Sequence, residues 1–494
     1  MNYKSTRSTG LETVSAAVAI KNGLAPDGGL YMPESIPTLT LEDLSRLSEL
    51  PYAERAARIL SMYLTDYTVE ELLEDCRTAY SETRFPGGAA PLHKIDGSIH
   101  ALELWHGPTC AFKDMALQIM PRLLSRALKK TGETRTALIL VATSGDTGKA
   151  ALEGYRDVPG VKILVFYPTD GVSHIQKLQM ITQEGANVSV NGIFGNFDDA
   201  QNGVKAIFGD AAIADELNEK GVFLSSANSI NWGRLAPQIV YYVSAYCDMV
   251  KGGYVRMGDP IDVAVPTGNF GNIFAAHLAR AMGLPIRHLV CASNKNNVLT
   301  DFLRTGTYDR NRTFYMTSSP SMDILISSNL ERLIYLFFGP VRTAECMKML
   351  KETGSYSLAE DEIAKIREVF SGYECDEAET AERIRISFKD HGYLMDTHTA
   401  VGYHAACLHI AAAAKKIPLV LASTASPYKF APAVYAAATG RHAADGVEAL
   451  EALQAVSAVP IPGPLTGLSE KRVLHPASID PTDMPNAVKG FAFQ

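Results

Sequence analysis

The sequence predicts an α/β protein with open, mostly parallel sheets flanked by helices and a mainly helical N-terminal region. Three observations carry this expectation. From about residue 90, short apolar runs alternate with stretches of helical spacing, the pattern of parallel strands joined by helical crossovers. Two glycine-containing turns, Thr143–Gly148 and Pro266–Asn272, each follow an apolar run and open a helix. Before residue 85 the chain reads as helical hairpins, broken at Ala25-Pro26-Asp27-Gly28-Gly29, around Pro33 to Pro37, and then at Phe85-Pro86-Gly87-Gly88.

In chain order, the stretch after Pro51 has helical spacing and heavy charge, a surface helical layer. A helix begins near Asp114, and Pro121 inside it predicts a kink. Ala137–Ala142 is a buried strand, followed by a polar turn and a helix around Lys149–Tyr155. Val161–Phe166 is a second strand, with a helix around His174–Glu184 after it. Leu235–Met249 is a long apolar helix. Ile261–Val265 is a strand leading into the second turn and the helix Asn272–Met282, ended by Gly283. Ile286–Cys291 and Leu419–Ala422 are further strands. Residues 295–395 are helix-rich and charged with few strand signals, and read as an insertion or helical wrap. The expected domains are residues 1–90 (mostly helical), 91–260 (α/β) and 261–494 (α/β with that insertion). Crossovers in such sheets are right-handed, and ligands gather at the carboxyl ends of the strands.

Composition narrows the function. With 494 residues, 47% apolar and 20% charged, the chain is a soluble globular protein, not a disordered, collagen-like or disulfide-scaffold one. A net charge of −8 predicts no nucleic-acid or acidic-membrane partner. Seven scattered cysteines without a CxxC pair read as reduced and structural, Cys110 among them as a small buried hydrophobe. The apolar run Val14–Ile20 is too short for a convincing signal peptide, and Thr397–Ala414 reads as a buried helix, not a membrane span. The expected compartment is the cytoplasm. No histidine spacing suggests a metal site.

Five segments carry chemistry. Thr143-Ser144-Gly145-Asp146-Thr147-Gly148 puts unpaired N–H groups and a partial positive charge at a helix start, a site for a carboxylate or phosphate. Read as a Walker A loop it lacks the first glycine and the Mg-binding hydroxyl, and its Asp-Thr-Gly lies in strand-turn-helix context, unlike an aspartic protease. An ordinary strand-helix turn is the plain alternative. Pro266-Thr267-Gly268-Asn269-Phe270-Gly271-Asn272 suits a phosphate held by backbone N–H groups and side-chain amides. Two such loops suggest a pair of anions. Lys113 follows Gly107-Pro108-Thr109-Cys110-Ala111-Phe112 at a helix start, where dipole and apolar neighbours favour the neutral amine; otherwise it is a surface lysine paired with Asp114. Ser225 to Arg234 brings small polar residues and one guanidinium before a long helix, with Arg234, Asn228 and Ser229 able to cage a phosphate, or else a helix cap with an exposed arginine. Ser423-Thr424-Ala425-Ser426-Pro427 ends a buried strand, where a hydroxyl bonds a ring nitrogen or caps the next helix. His398 is a buried helix residue that could reach the loop ends.

Together these segments resemble the threonine synthases, pyridoxal-phosphate enzymes of the tryptophan-synthase-β fold type, in their longer bacterial and fungal-like subgroup. Tyr3-Lys4-Ser5-Thr6-Arg7 and Gly23 to Pro33 look like the family's opening signatures. Gly107 to Asp114, Ser144 to Gly148, Gly268 to Asn272, Thr397 to Val401 and Ser423 to Phe430 complete an ordered series across nearly the whole chain. The resemblance implies fold type II, with two open sheets.

It also implies roles. Lys113 would carry pyridoxal 5′-phosphate and move protons. Gly268, Asn269, Phe270, Gly271 and Asn272 would hold the cofactor phosphate, and Thr424 the pyridine nitrogen. Ser144, Gly145, Asp146 and Thr147 would grip the substrate carboxylate and the cofactor's 3′-oxygen edge. Asp146 stands where shorter relatives have Asn, an acid beside the ring. Asn228, Ser229 and Arg234 would bind the substrate phosphate, with Lys149 adding charge. The reaction implied is O-phospho-L-homoserine plus water giving L-threonine and phosphate, a carbon-oxygen lyase activity in threonine biosynthesis, by a monomer or homodimer. The alternative is a phospho-lyase or dehydratase that releases a 2-oxo acid, ammonia and phosphate from the same sites. From another class, a magnesium-nucleotide ATPase built on Ser144–Lys149 remains open.

Overall fold

The computed structural model describes residues 1–169, 172–443 and 446–494. β1 (Tyr3–Ser5) and β2 (Tyr31–Pro33) pair antiparallel. Around them lie helices 16–22, 41–48, 52–63 and 69–79, the expected N-terminal helical region. Thr40 and Thr68 each start a helix with a capping box, their hydroxyls accepting from the N–H three residues on. Trp232 is fully buried between Tyr3 and Tyr63, with ring centroids 5.4 and 5.5 Å away, and docks this region onto the helix Trp232–Lys251. Arg55 strengthens the seam by donating to Leu47 O, Ser48 O, Ser244 Oγ and Asp248 Oδ1.

Two parallel sheets follow. Their strands are β3 (Leu92–Lys94), β4 (Ile99–Glu103), β5 (Thr136–Ala142), β6 (Val161–Pro168), β7 (Val188–Ile193), β8 (Val222–Ser225), β9 (Ile261–Pro266) and β10 (Ile286–Ser293). β11 (Thr307–Asp309) and β12 (Ser355–Ser357) form a small antiparallel ribbon. β13 (Phe370–Glu374), β14 (Leu419–Ser423) and β15 (Ser478–Ile479) complete the set. The smaller sheet runs β15-β7-β6-β5-β8, all parallel. The larger runs β13-β10-β9-β14-β4-β3, parallel except for β3 against β4. Leu138 to Val141 and Val263 to Val265 are buried on both faces, as helix-covered parallel strands require.

Three expectations need correction. The boundary at 260 does not follow the sheets. β4, which precedes Lys113, joins the larger sheet beside β14, and β15 from the last segment extends the smaller one. The region 295–395 contributes β13 as an edge strand of the larger sheet, where Phe370 packs against Phe270, so it is not a mere wrap. Pro121 does not kink one helix: helix 114–117 stops, and a new helix 120–130 begins with Pro121 in its first turn, where a missing N–H costs nothing. Thr397–Ala412 is helical and mostly buried, as expected.

Candidate active site

The carboxyl ends of β4, β5, β8, β9 and β14 carry all five segments. The Lys113 loop is pinned from both sides. Leu104 N and Phe112 N donate to Ser423 O and Thr424 O, which ties it to the end of β14. Asp114 turns inward and accepts from Thr109 N and Thr109 Oγ1, both at 2.8 Å. Burial lifts the Asp114 carboxyl to about 6 against those hydrogen bonds. A Cβ on Gly107 would meet Asp114 Oδ2 at 2.5 Å, so the turn needs glycine. Cys110 takes φ +59°, a strained conformation at a non-glycine position just before the lysine.

With Asp114 so engaged, the expected surface pair with Lys113 does not form. The Lys113 side chain is 11% exposed. Its Nζ donates to Ser321 Oγ at 3.2 Å and lies 3.6 Å from Asp146 Oδ2. Burial pushes its pKa below the ordinary lysine value; Asp146 opposes this, while Lys429 and Arg234 reinforce it.

Asp146 opens the helix Asp146–Tyr155 behind Gly145, whose φ of +131° and contact with Gln176 admit no side chain. Thr143 Oγ1 accepts from the N–H groups of Gly145 and Gly148. Asp146 Oδ1 meets Lys429 Nζ at 2.7 Å and accepts from Gln176 Nε2 at 2.9 Å; its Oδ2 accepts from Ser321 Oγ at 3.2 Å. Burial alone would raise this carboxyl, but Lys429 and Lys113 outweigh burial and hold it below the usual carboxylate range. The acid at this position is therefore an anion. Lys149 points elsewhere: its Nζ bonds Gln183 Oε1 and Glu153 Oε2, so it does not add charge here.

At the end of β9, Phe270 takes φ +62° and caps the helix Gly271–Ala281. The hydroxyls of Tyr241 and Tyr242 both donate to Asn272 Oδ1, at 2.6 and 2.5 Å. That fixes the amide, and its buried Nδ2 has no partner among the described residues. A Cβ on Gly268 would meet Ser321 O at 3.0 Å, so a side chain here would be crowded against the Ser321 backbone. A positioned orphan donor, a helix N-terminus and a close-packed glycine turn suit an anionic group.

The Ser225–Arg234 segment has its cap in Asn231, whose Oδ1 accepts from Gly233 N. Asn228 is exposed. Arg234 is 4% exposed rather than on the surface; one guanidinium nitrogen donates to Ala227 O at 2.7 Å, and Nε is buried without a partner. Burial lowers its pKa to about 10. Ser229 Oγ accepts from Asn329 Nδ2 at 3.3 Å. On β14, Thr424 is buried and its N–H donates to Thr399 Oγ1; the expected cap role falls to Ser426, which accepts from Tyr428 N.

Sequence reasoning missed Ser321, Asn329, Arg332, Gln176 and Lys429. Ser321 and Asn329 lie in the region read as an insertion, in the small-polar runs 317–323 and 327–329. Ser327 Oγ donates to Gly268 O, and Asn329 N and Nδ2 donate to Asn269 O, so this segment packs on the glycine turn. Arg332, fully buried, ties Asn329 Oδ1, Ile230 O and Tyr31 O together. His398 does reach the loops: Nε2 accepts from Ser321 N at 3.0 Å, and Nδ1 faces Asp396 Oδ2 at 2.7 Å.

Away from these loops, Cys375, Glu379 and His404 offer ligand atoms within 4.8 Å of one another. Burial pushes the Cys375 thiol up to about 12, so the thiolate a metal needs is disfavoured, and Arg383 Nε donates to His404 Nδ1, which occupies that ring nitrogen.

Known proteins match this arrangement. Residues 2–80 fit the family model for the threonine synthase N terminus, 85–421 that for pyridoxal-phosphate dependent enzymes, and 399–462 that for the threonine synthase C-terminal region. Threonine synthase of Pseudomonas aeruginosa is 40% identical over 430 residues, 85% of this chain and 87% of that protein. The chain belongs to the threonine synthase family. Threonine synthase-like 1 of Homo sapiens is 41% identical over 429 residues, 84% of this chain. The chain matches only 57% of that longer relative's length. The crystal structure of pyridoxal-phosphate-bound threonine synthase from Brucella melitensis superimposes with TM-score 0.88 at 35% identity, covering all of both chains. Membership brings the fold and the cofactor: the threonine synthase architecture with pyridoxal 5′-phosphate.

Proposed function

We propose that this protein is a threonine synthase, converting O-phospho-L-homoserine and water to L-threonine and phosphate. The observation that carries the reading is the buried Lys113 amine between Ser321 and Asp146, at strand ends that also carry the unpartnered donors Asn272 Nδ2 and Arg234 Nε. Two phosphates would be needed, one on the cofactor and one on the substrate, and the unpartnered Asn272 Nδ2 and Arg234 Nε offer a donor to each.

Gly268, Asn269, Phe270, Gly271 and Asn272 would hold the cofactor phosphate, Thr424 the ring nitrogen, and Asp146 the ring's oxygen edge. When bound, pyridoxal phosphate supplies an electron sink for carbanion chemistry at the substrate's α-carbon. Lys113 Nζ, poised toward the neutral amine, takes the α-proton and returns a proton later. Ser321 Oγ keeps that nitrogen in line by bonding to it and to Asp146 Oδ2. Ser144, Gly145, Asp146 and Thr147 offer a helix start to the substrate carboxylate. Asn228, Ser229 and Arg234 hold the leaving phosphate, which orients it and rejects substrates without it.

Among the described residues no helix is long and apolar enough to cross a membrane. We place the protein in the cytoplasm, as a monomer or homodimer with a small-molecule substrate.

Incubation with O-phospho-L-homoserine, followed by separate assays for phosphate, threonine and 2-oxobutyrate, tests the reading. Phosphate and threonine in equal amounts support it. Phosphate with 2-oxobutyrate makes the protein a phospho-lyase, and no phosphate overturns both.

A further inference from the structure

We propose that Lys429 is a positioning residue: it engages Asp146 as counter-ion so that Asp146 does not hold Lys113 as an ammonium ion. The inference rests on the reading of Lys113 as the cofactor lysine.

Lys429 sits in the short turn Pro427–Phe430 after β14, and its side chain is 0% exposed. A lysine buried to this degree is rare without a dedicated partner. Its Nζ has two, Asp146 Oδ1 at 2.7 Å and Thr109 O at 3.0 Å. The Asp146 carboxylate is divided between two sides. Oδ1 serves Lys429 and Gln176; Oδ2 faces Lys113 at 3.6 Å, with Ser321 Oγ bonded to both. Among the described residues, the ion-pair partners of Asp146 are these two lysines.

Remove Lys429 and the arithmetic of charge changes. A desolvated carboxylate left with one cation holds the proton on that cation tightly. Lys113 would then be the sole counter-charge of Asp146. The charged groups facing Lys113 are Asp146 from the helix Asp146–Tyr155, Lys429 from its turn and Arg234 from the helix Trp232–Lys251. Lys429 therefore acts twice: it satisfies the carboxylate and it repels a second positive charge. The chemistry needs this. An amine captures an aldehyde by giving its lone pair to the carbonyl carbon; a C=N bond replaces the C=O bond, and the carbonyl oxygen leaves with the two amine hydrogens as one water, whereas an ammonium ion has no lone pair to give.

A merely structural lysine, tying its turn to Thr109 O, would not move a titration. The test is the rate at which the full-length protein, freed of cofactor, captures added pyridoxal 5′-phosphate, followed by visible absorbance across pH. For Lys429→Met the midpoint moves to higher pH, and capture at neutral pH slows roughly tenfold for each unit of that rise. At high pH its rate returns towards that of the parent protein. Asp146→Asn moves the midpoint down, and adding Lys429→Met to it moves the midpoint up by less than Lys429→Met does in the parent, because the carboxylate that Lys429 satisfies is gone. An unchanged midpoint in Lys429→Met overturns the proposal. So does a shift as large in the Asp146→Asn background as in the parent, since the effect must run through Asp146; Lys429→Gln repeats both comparisons if Lys429→Met fails to fold. Capture that persists in Lys113→Ala instead removes the reading of Lys113, and this inference with it.

Discussion

Lys113 Nζ lies 3.2 Å from Ser321 Oγ, although 208 residues separate them in the chain. The contact exists because the turn Pro320–Met322 is held from behind by His398, whose ring accepts from Ser321 N while Asp396 orients it. Ser321→Ala removes the hydroxyl that keeps Lys113 and Asp146 in register and leaves the fold intact. One lost hydrogen-bonded link is worth about 1 kcal/mol, so steady-state assays are expected to give a kcat roughly fivefold lower with KM little changed.

Arg234 is the second element to test. Its guanidinium is desolvated, yet among the described residues Nε has no partner. Arg234→Ala is expected to lower kcat/KM for the phosphorylated substrate by about 1.5–3 kcal/mol, roughly 10- to 150-fold, since the lost bond is to a charged group. Cofactor affinity, measured by titration of visible absorbance, stays as in the parent protein.

Tyr241 and Tyr242 set the Asn272 amide. Replacing both with Phe leaves the helix packed but frees the amide to turn. The expected result is a cofactor dissociation constant about fivefold to tenfold higher, equivalent to about 1–1.5 kcal/mol, read by equilibrium titration. A single replacement leaves one anchor and gives a smaller change.

His277 gives the fold an acid sensitivity. It is buried against Phe274, Phe337 and Phe370, its Nδ1 has no partner, and burial lowers its pKa to about 3 from 6.5. The unfolded chain binds a proton at this residue below pH 6.5, whereas the folded chain does not until about pH 3. Stability is therefore lost as pH falls through that window, at up to about 1.4 kcal/mol per pH unit from this one group. Urea unfolding of His277→Phe is expected to show a shallower loss between pH 6 and pH 4 than the parent (roughly one proton's worth of slope).

Much of this was legible in the sequence for physical reasons. Strands buried on both faces must be nearly all apolar, so β5, β6, β9, β10 and β14 stand out as short uninterrupted runs. Glycine turns at helix starts mark themselves, because at Gly145 a side chain would collide with Gln176 and at Gly268 it would be crowded against Ser321 O. β4 was missed since its strand, Ile99–Glu103, includes His100 and Glu103, and β13 because only Phe370 in it reads as buried apolar. Ser321, Asn329 and Lys429 were missed for another reason. Their importance comes from long-range packing, and nothing in local spacing says that a serine in one turn and a lysine in another will share one carboxylate. Pairing Lys113 with its neighbour Asp114 was the natural local reading; the fold spends Asp114 on Thr109 instead.

On the proposed reading Lys113, and not its buried neighbours Lys149 and Lys429, carries the cofactor. Borohydride reduction of the protein with pyridoxal 5′-phosphate, followed by digestion and peptide mass analysis, tests it directly. One phosphopyridoxyl group is expected, on the peptide containing Lys113, and none in Lys113→Ala. The group on Lys149 or Lys429, or no label on the parent protein, would contradict it.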